Sequence, residues 1–395
     1  MREIGRPVNT FHAQAEGPQG FFVHTAQSGV ANDGRDDIAV ALSRTETVCS
    51  AVYTQSLFAG PAVLLSREVG SDARGVVVVS RNANVANGPR GAADAVEVRG
   101  LVAAAVQADP AQLLAASTGV IGRTYPMDIM RENISGWPLP PSPSSWEDFA
   151  TAIMTTDTVP KLVSAQVGAA TVLGVAKGVG MIEPDMATLL TFFFTDAELD
   201  AEVLDEVFRS VVATTFNALS IDTDTSTSDT AAIFANGLAG PVDVAEFRSG
   251  LHGVALELVQ KIARDGEGSS KLLQVSVDGA RDDAQAKRVA KSVVNSPLVK
   301  TMVHGADPNW GRVVMAVGKC SEEHDIVAEN VTVNLCGRDV YPCLLDEAGL
   351  AQLSEVMRGD TATIAVNLGV ADGSFTVYGC DLTRGYIDIN ADYTT

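Results

Sequence analysis

Two stretches, 198–217 and 243–264, repeat apolar residues at helical spacing and so limit how this chain can fold. The first carries Leu199, Val203, Val207 and Val211 beside Leu204, Phe208, Val212 and Phe216. The second carries Val244, Phe247, Leu251, Val254, Leu258 and Ile262. Each is a wide apolar face that must be covered. The cover on offer is a set of short β-type runs: 21–26, 37–43, 47–54, 76–80, a hairpin over 161–176 turning near Gly168, and 188–194. Further strands are expected at 271–278, 330–336, 362–368 and 374–380, and a helix over 91–107. Strand runs mixed with helices predict α+β layers rather than strict βαβ alternation.

Residues 135–145, SGWPLPPSPSS, read as a linker, because prolines 138, 140, 141 and 143 fit neither a helix nor a central strand. A helical pattern resumes at Trp146. Hydrophobic residues make up 46% of the 395, enough for a substantial core. Lys plus Arg is 28 against 49 Asp plus Glu, a net charge of −21. That balance argues against nucleic acid and anionic membrane surfaces as partners. No apolar run is long enough to span a membrane and no secretory h-region is visible, so the cytoplasm is the expected location. Five scattered cysteines without a CxxC, and five histidines without HExxH, point to neither a disulfide framework nor a metal site. P-loop, GxGxxG and GxSxG signatures are missing, so the standard catalytic signatures give no lead. The run 222–230, DTDTSTSDT, lacks the calcium-loop Gly and distal Glu and reads as a solvated or hydrogen-bonded loop.

The informative stretch is 177–188, KGVGMIEPDMAT. Glycines and a proline lead into Thr188, which opens an apolar run. If the Ala187–Thr188 peptide were held strained, the Thr188 hydroxyl would attack the preceding carbonyl. Cleavage would free an α-amine with a reference pKa of about 8, a base usable near neutral pH. Nucleophile and base would then share one residue. On chemistry alone, a threonine that merely starts a strand is the commoner reading.

The segment KGVGMIEPDMATLLTFFFTDA resembles the self-cleavage segment of the ornithine acetyltransferase family, also called glutamate N-acetyltransferases. Matching stretches follow in order: STGVIG at 117–122, MTTDT at 154–158, DGEG at 265–268, DPNWGR at 307–312 and NADYTT at 390–395. The match is similar in flavour to the family copies found beside clavulanic acid biosynthesis genes. Glu183-Pro184-Asp185 stands where many members have a neutral residue before the proline.

The resemblance implies an N-terminal-nucleophile-like layered sandwich of stacked sheets flanked by helices, with a smaller α/β domain in the second half. It implies self-cleavage between Ala187 and Thr188 into fragments 1–187 and 188–395, assembled as α2β2. Thr188 would be the nucleophile. Thr118 and Gly119 would form the oxyanion hole, although Ser-Thr-Gly is also a common turn. Thr155, Lys177, Thr188, Glu267, Asn390 and Thr395 would line the substrate pocket. The implied reaction moves an acetyl group from N-acetylornithine to glutamate, giving ornithine and N-acetylglutamate, within arginine biosynthesis or a specialised pathway. That acetyl-transfer chemistry requires no cofactor. His304, Trp310 and Arg312 read as structural. Alternatives are a bifunctional member that also uses acetyl-CoA, an autoproteolytic amidohydrolase or aminopeptidase, and a non-enzymatic amino-acid binder.

Overall fold

The computed structural model describes residues 17–31, 33–183 and 189–392. They divide into two compact units. The first holds the chain up to Gly178 together with 189–217 and 225–258; the second holds 179–183, 218–224 and 259 onward.

In the first unit, one sheet contains β1 (Phe21–Ala26), β2 (Ile38–Ser43), β4 (Gly75–Val79) and β5 (Leu113–Ser117), in that spatial order. A second runs β3 (Val48–Tyr53), β9 (Thr230–Pro241), β8 (Leu190–Glu198), β7 (Ala170–Lys177) and β6 (Lys161–Val167). The helices are α1 (Pro61–Arg67), α2 (Gly88–Val106), α3 (Met127–Ser135), α4 (Trp146–Ala152), α5 (Ala201–Thr214) and α6 (Val244–Arg264), the last of which passes into the second unit after Leu258.

Side-chain alternation explains the layering. On β2, Ile38, Val40 and Leu42 pack with Val98 and Val102 of α2 and Met130 of α3. The intervening Ala39 and Ala41 join Leu190, Phe192 and Phe194 of β8, Phe234 of β9 and Phe149 of α4. Phe193 points the other way, onto Phe208 of α5 and Phe216. At Gly174 of β7, an added Cβ would lie 2.7 Å from Leu258 and 2.9 Å from Val254 of α6. The order is therefore helices, sheet, sheet, helices. This is the layered sandwich of stacked sheets that the sequence led us to expect, and the two amphipathic stretches are its outer cover.

The second unit is smaller. Its sheet runs β12 (Arg338–Tyr341), β11 (Thr332–Leu335), β13 (Thr361–Asn367), β10 (Leu272–Ala280) and β14 (Gly373–Cys380). Helices α7 (Asp283–Val294), α8 (Pro297–His304), α9 (Trp310–Gly318) and α10 (Glu347–Met357) share its core, and α11 (Arg384–Ala391) ends it. Trp310 stacks on Tyr341 with centroids 5.3 Å apart, and His304 Nδ1 lies 3.0 Å from Asp381, in keeping with structural roles.

The expected linker needs correcting. Ser144 N donates to Val23 O at 2.8 Å, and His24 Nδ1 lies 2.7 Å from Ser142 O. The prolines do stop helix and strand, but the segment is an ordered strap along β1 within one unit. Strand β9 was not anticipated. Its run of small Ala and Gly residues lacks the branched alternation that marks a strand.

Candidate active site

Two strand ends and the turn after a helix bring polar side chains together in the first unit. Thr118 follows β5, Lys177 closes β7, and Thr155 follows α4. Lys177 is 8% exposed, and its Nζ donates to Thr118 Oγ1 at 3.1 Å and to Thr155 Oγ1 at 2.9 Å. An ammonium only donates, so Thr118 Oγ1 must accept there, and its own O–H is turned elsewhere as a donor.

Gly119 sits at φ +127°, and an added Cβ would lie 2.1 Å from the Arg81 carbonyl carbon. Only glycine fits such a close backbone approach. The neighbouring amides are taken: Thr118 N donates to Val79 O at 3.0 Å and Val120 N to Arg81 O at 3.3 Å. No group among the described residues takes up the Gly119 N–H. A hydroxyl and a backbone amide thus stand side by side as donors, the chemistry an acyl-transfer oxyanion requires.

Asp157 anchors the cluster. Its Oδ1 accepts from Lys161 Nζ at 2.7 Å and Gly178 N at 2.8 Å, and its Oδ2 from Thr155 N at 3.1 Å. Burial alone would raise its pKa, but the Lys177 and Lys161 charges and these hydrogen bonds outweigh it, so the carboxyl is held below its ordinary value. In the sheet register, Lys177 pairs with Leu190, the first residue of β8.

The second unit carries another cluster. Glu267 N donates to Val179 O at 2.8 Å, and Asn390 Nδ2 donates to Glu267 Oε2 at 2.7 Å. A Cβ on Gly180 would meet the Glu267 carboxyl carbon at 2.5 Å, so glycine makes room for that side chain. Asp222 accepts from Met181 N at 2.7 Å and Ile182 N at 2.8 Å. Tyr386 OH lies 3.4 Å from Asp222, and burial together with the Asp222, Glu267 and Asp224 charges pushes its pKa up to about 12. Thr383 Oγ1 donates to Gly268 O at 2.5 Å, tying α11 down just ahead of Asn390.

Thr118, Gly119, Thr155 and Lys177 thus assemble in one unit, and Glu267 with Asn390 in the other. Ala187, Thr188 and Thr395 lie outside the described residues. Among the described residues, no group of three or more His, Cys, Asp or Glu side chains is placed to hold a metal ion, and no helix is long and apolar enough to cross a membrane.

The sequence profile of the ArgJ family matches residues 22–395. A Streptomyces clavuligerus protein named glutamate N-acetyltransferase Oat2 is 58% identical over 385 residues, 96% of this chain and 98% of the relative. A Nostoc sp. protein named arginine biosynthesis bifunctional protein ArgJ 2 is 51% identical over 380 residues, again 96% of this chain and 98% of the relative. The chain belongs to the ArgJ family. A solved ArgJ structure from Bacillus halodurans is 35% identical, with a TM-score of 0.48, and covers 50% of this chain and 96% of that one.

Two acids of this ArgJ chain escaped the sequence reading. Asp157 lies inside the quoted 154–158 motif, but nothing in its spacing tells that it is buried between two lysines. Asp229 is the last aspartate of the 222–230 run that read as a solvated or hydrogen-bonded loop, yet it is 1% exposed. The one hint was its place two residues before an apolar run, AAIF.

Proposed function

We propose that this ArgJ chain cleaves itself between Ala187 and Thr188 and then moves an acetyl group from N-acetylornithine to glutamate by a two-step exchange. In the first step the Thr188 hydroxyl attacks the acetyl carbonyl, forming the Oγ–C bond, while the freed α-amine takes the hydroxyl proton. The C–N bond breaks, ornithine leaves with that proton, and acetyl-Thr188 remains. Glutamate's amine then attacks the ester, the C–Oγ bond breaks, and Oγ regains a proton as N-acetylglutamate departs. Splitting the transfer through an ester replaces one difficult step by two easier ones.

The observation that carries this reading is the Lys177 cluster. Strand β8 opens two residues after Thr188, and its first residue pairs with Lys177, whose ammonium orients the Thr118 hydroxyl beside the Gly119 amide. A hydroxyl and a backbone amide beside the strand that Thr188 leads into support the reading of Thr118 and Gly119 as oxyanion donors. The names of the relatives, glutamate N-acetyltransferase and arginine biosynthesis protein, support the same donor and acceptor class. In this reading Thr155 and Lys177 meet the substrate carboxylate, and the family resemblance assigns Glu267, Asn390 and Thr395 to substrate binding as well. The two fragments stay together, two of each, in the cytoplasm, as the family resemblance implies.

Incubation with N-acetylornithine, with and without glutamate, tests the exchange. The expected result is N-acetylglutamate and ornithine in equal amounts, with little free acetate when glutamate is present. Acetate release that ignores glutamate would assign a hydrolase instead. A parallel arm with acetyl-CoA and glutamate reads whether a second donor is used.

A further inference from the structure

Asp229 is buried one residue ahead of β9, and the mechanism above leaves it unused. Its Oδ1 accepts the Leu189 amide at 2.9 Å. In return, the next residue, Thr230, donates its N–H to Leu189 O at 3.0 Å. Asp229 is itself fixed, since Thr54 N donates to its carbonyl at 2.9 Å. Leu189 needs such a grip. It sits at φ +128°, where a side chain is costly and where leucine stays only if its surroundings over-determine it.

The second carboxyl oxygen, Oδ2, is buried with no hydrogen-bond partner among the described residues. Burial pushes this carboxyl well above the usual carboxylate range, against the Leu189 N–H, the Ser226 hydroxyl and the Lys177 charge. A neutral acid fits that setting, because its carbonyl oxygen accepts an amide proton without a counter-ion.

The nitrogen that Asp229 grips belongs to the peptide bond between Thr188 and Leu189. We propose that Asp229 is a positioning residue for both self-cleavage and acetyl transfer, its Oδ1 fixing the peptide that follows the Thr188 nucleophile. The inference rests on Thr188 being that nucleophile. A hydroxyl carried on a backbone free to swing spends little time at reacting distance, and a misplacement of 1 Å costs about a hundredfold. An amide oxygen accepts the Leu189 N–H as a carboxyl oxygen does, so asparagine can replace Asp229 and leucine cannot.

The test uses the full-length precursor as wild type, Asp229→Leu, Asp229→Asn and Thr188→Ala. Cleavage is followed by mass spectrometry, and turnover is expressed per site that takes up an acetyl group. Asp229→Leu fills the buried space without an acceptor. We expect its cleavage to slow about a hundredfold, and kcat per acetylated site to fall similarly while KM for N-acetylornithine moves less than about threefold. Asparagine should restore both rates to within about tenfold of wild type. A purely structural lesion would instead lower the number of active sites and leave kcat per site unchanged. Wild-type cleavage in Asp229→Leu overturns the inference. So does a folded Asp229→Asn chain that cleaves more than tenfold slower, which keeps the test decisive even if the leucine variant fails to fold. Cleavage and turnover in Thr188→Ala would remove the reading of Thr188 itself. A dead Thr188→Ala beside an unaffected Asp229→Leu would remove the role of Asp229 alone.

Discussion

In the first unit, the lysines at the strand ends are buried and face a buried carboxylate; in the second, Glu267 stands half-buried on a turn and Asn390 exposed on a helix. Lys161 is 1% exposed and Lys177 8%, both facing the Asp157 carboxylate. Charges so enclosed interact through a low effective dielectric, and removing one strands the others. The 2.7 Å bond between the exposed Asn390 amide and Glu267 lies where water screens it. The first cluster is therefore part of the fold as well as of the proposed chemistry, whereas the second, proposed to contact the substrate, carries little structural debt.

That contrast can be broken by substitution, and the largest effect belongs at Asp157. Asp157→Ala leaves two buried ammonium groups without their carboxylate and should destabilise the protein by about 3–5 kcal/mol, read as a lowered thermal midpoint. Because its folded-state pKa lies below the unfolded value, the stability Asp157 supplies is present above about pH 4 and lost as pH falls through the folded-state pKa. The gap between wild type and variant should therefore be widest near neutrality and narrow in acid. An equal gap at every pH would mean that Asp157 is not acting as a charge.

Gly119→Ala comes next. The new methyl would run into the Arg81 backbone at a φ that alanine resists, so the amide must shift. A displaced oxyanion donor should lower kcat by about 10²–10³ with little change in overall fold, as steady-state kinetics and circular dichroism would report. Unchanged turnover would locate the oxyanion donors elsewhere. Asn390→Ala is the mildest. Losing one exposed hydrogen bond to Glu267 should raise KM for N-acetylornithine roughly fivefold, the equivalent of about 1 kcal/mol, and leave the thermal midpoint where it was. A large loss of stability there would erase the contrast between the clusters.

The same division governs what the sequence disclosed. Periodicity placed α5, α6 and most strands, because a buried face repeats along its own segment. The STG and KGVG motifs pointed to Thr118, Gly119 and Lys177 through family resemblance, not through spacing. Burial arises from partners distant in sequence: Asp229 meets Leu189 across 40 residues, and Lys177 meets Thr118 across 59. Nothing within DTDTSTSDT itself separates its buried last aspartate from the exposed Asp224. β9 stayed hidden for another reason, since its small residues carry no local strand signature.

The central claim is that one backbone cut turns Thr188 into a chain-leading nucleophile that carries the acetyl group. Mass spectrometry of the purified protein, before and after exposure to N-acetylornithine without glutamate, tests it most directly. The account predicts two polypeptides, 1–187 and 188–395, with a single acetyl group added to the second at its first residue and removed again by glutamate. An uncut chain that still transfers acetyl groups, or an acetyl group found on any other residue, would contradict it.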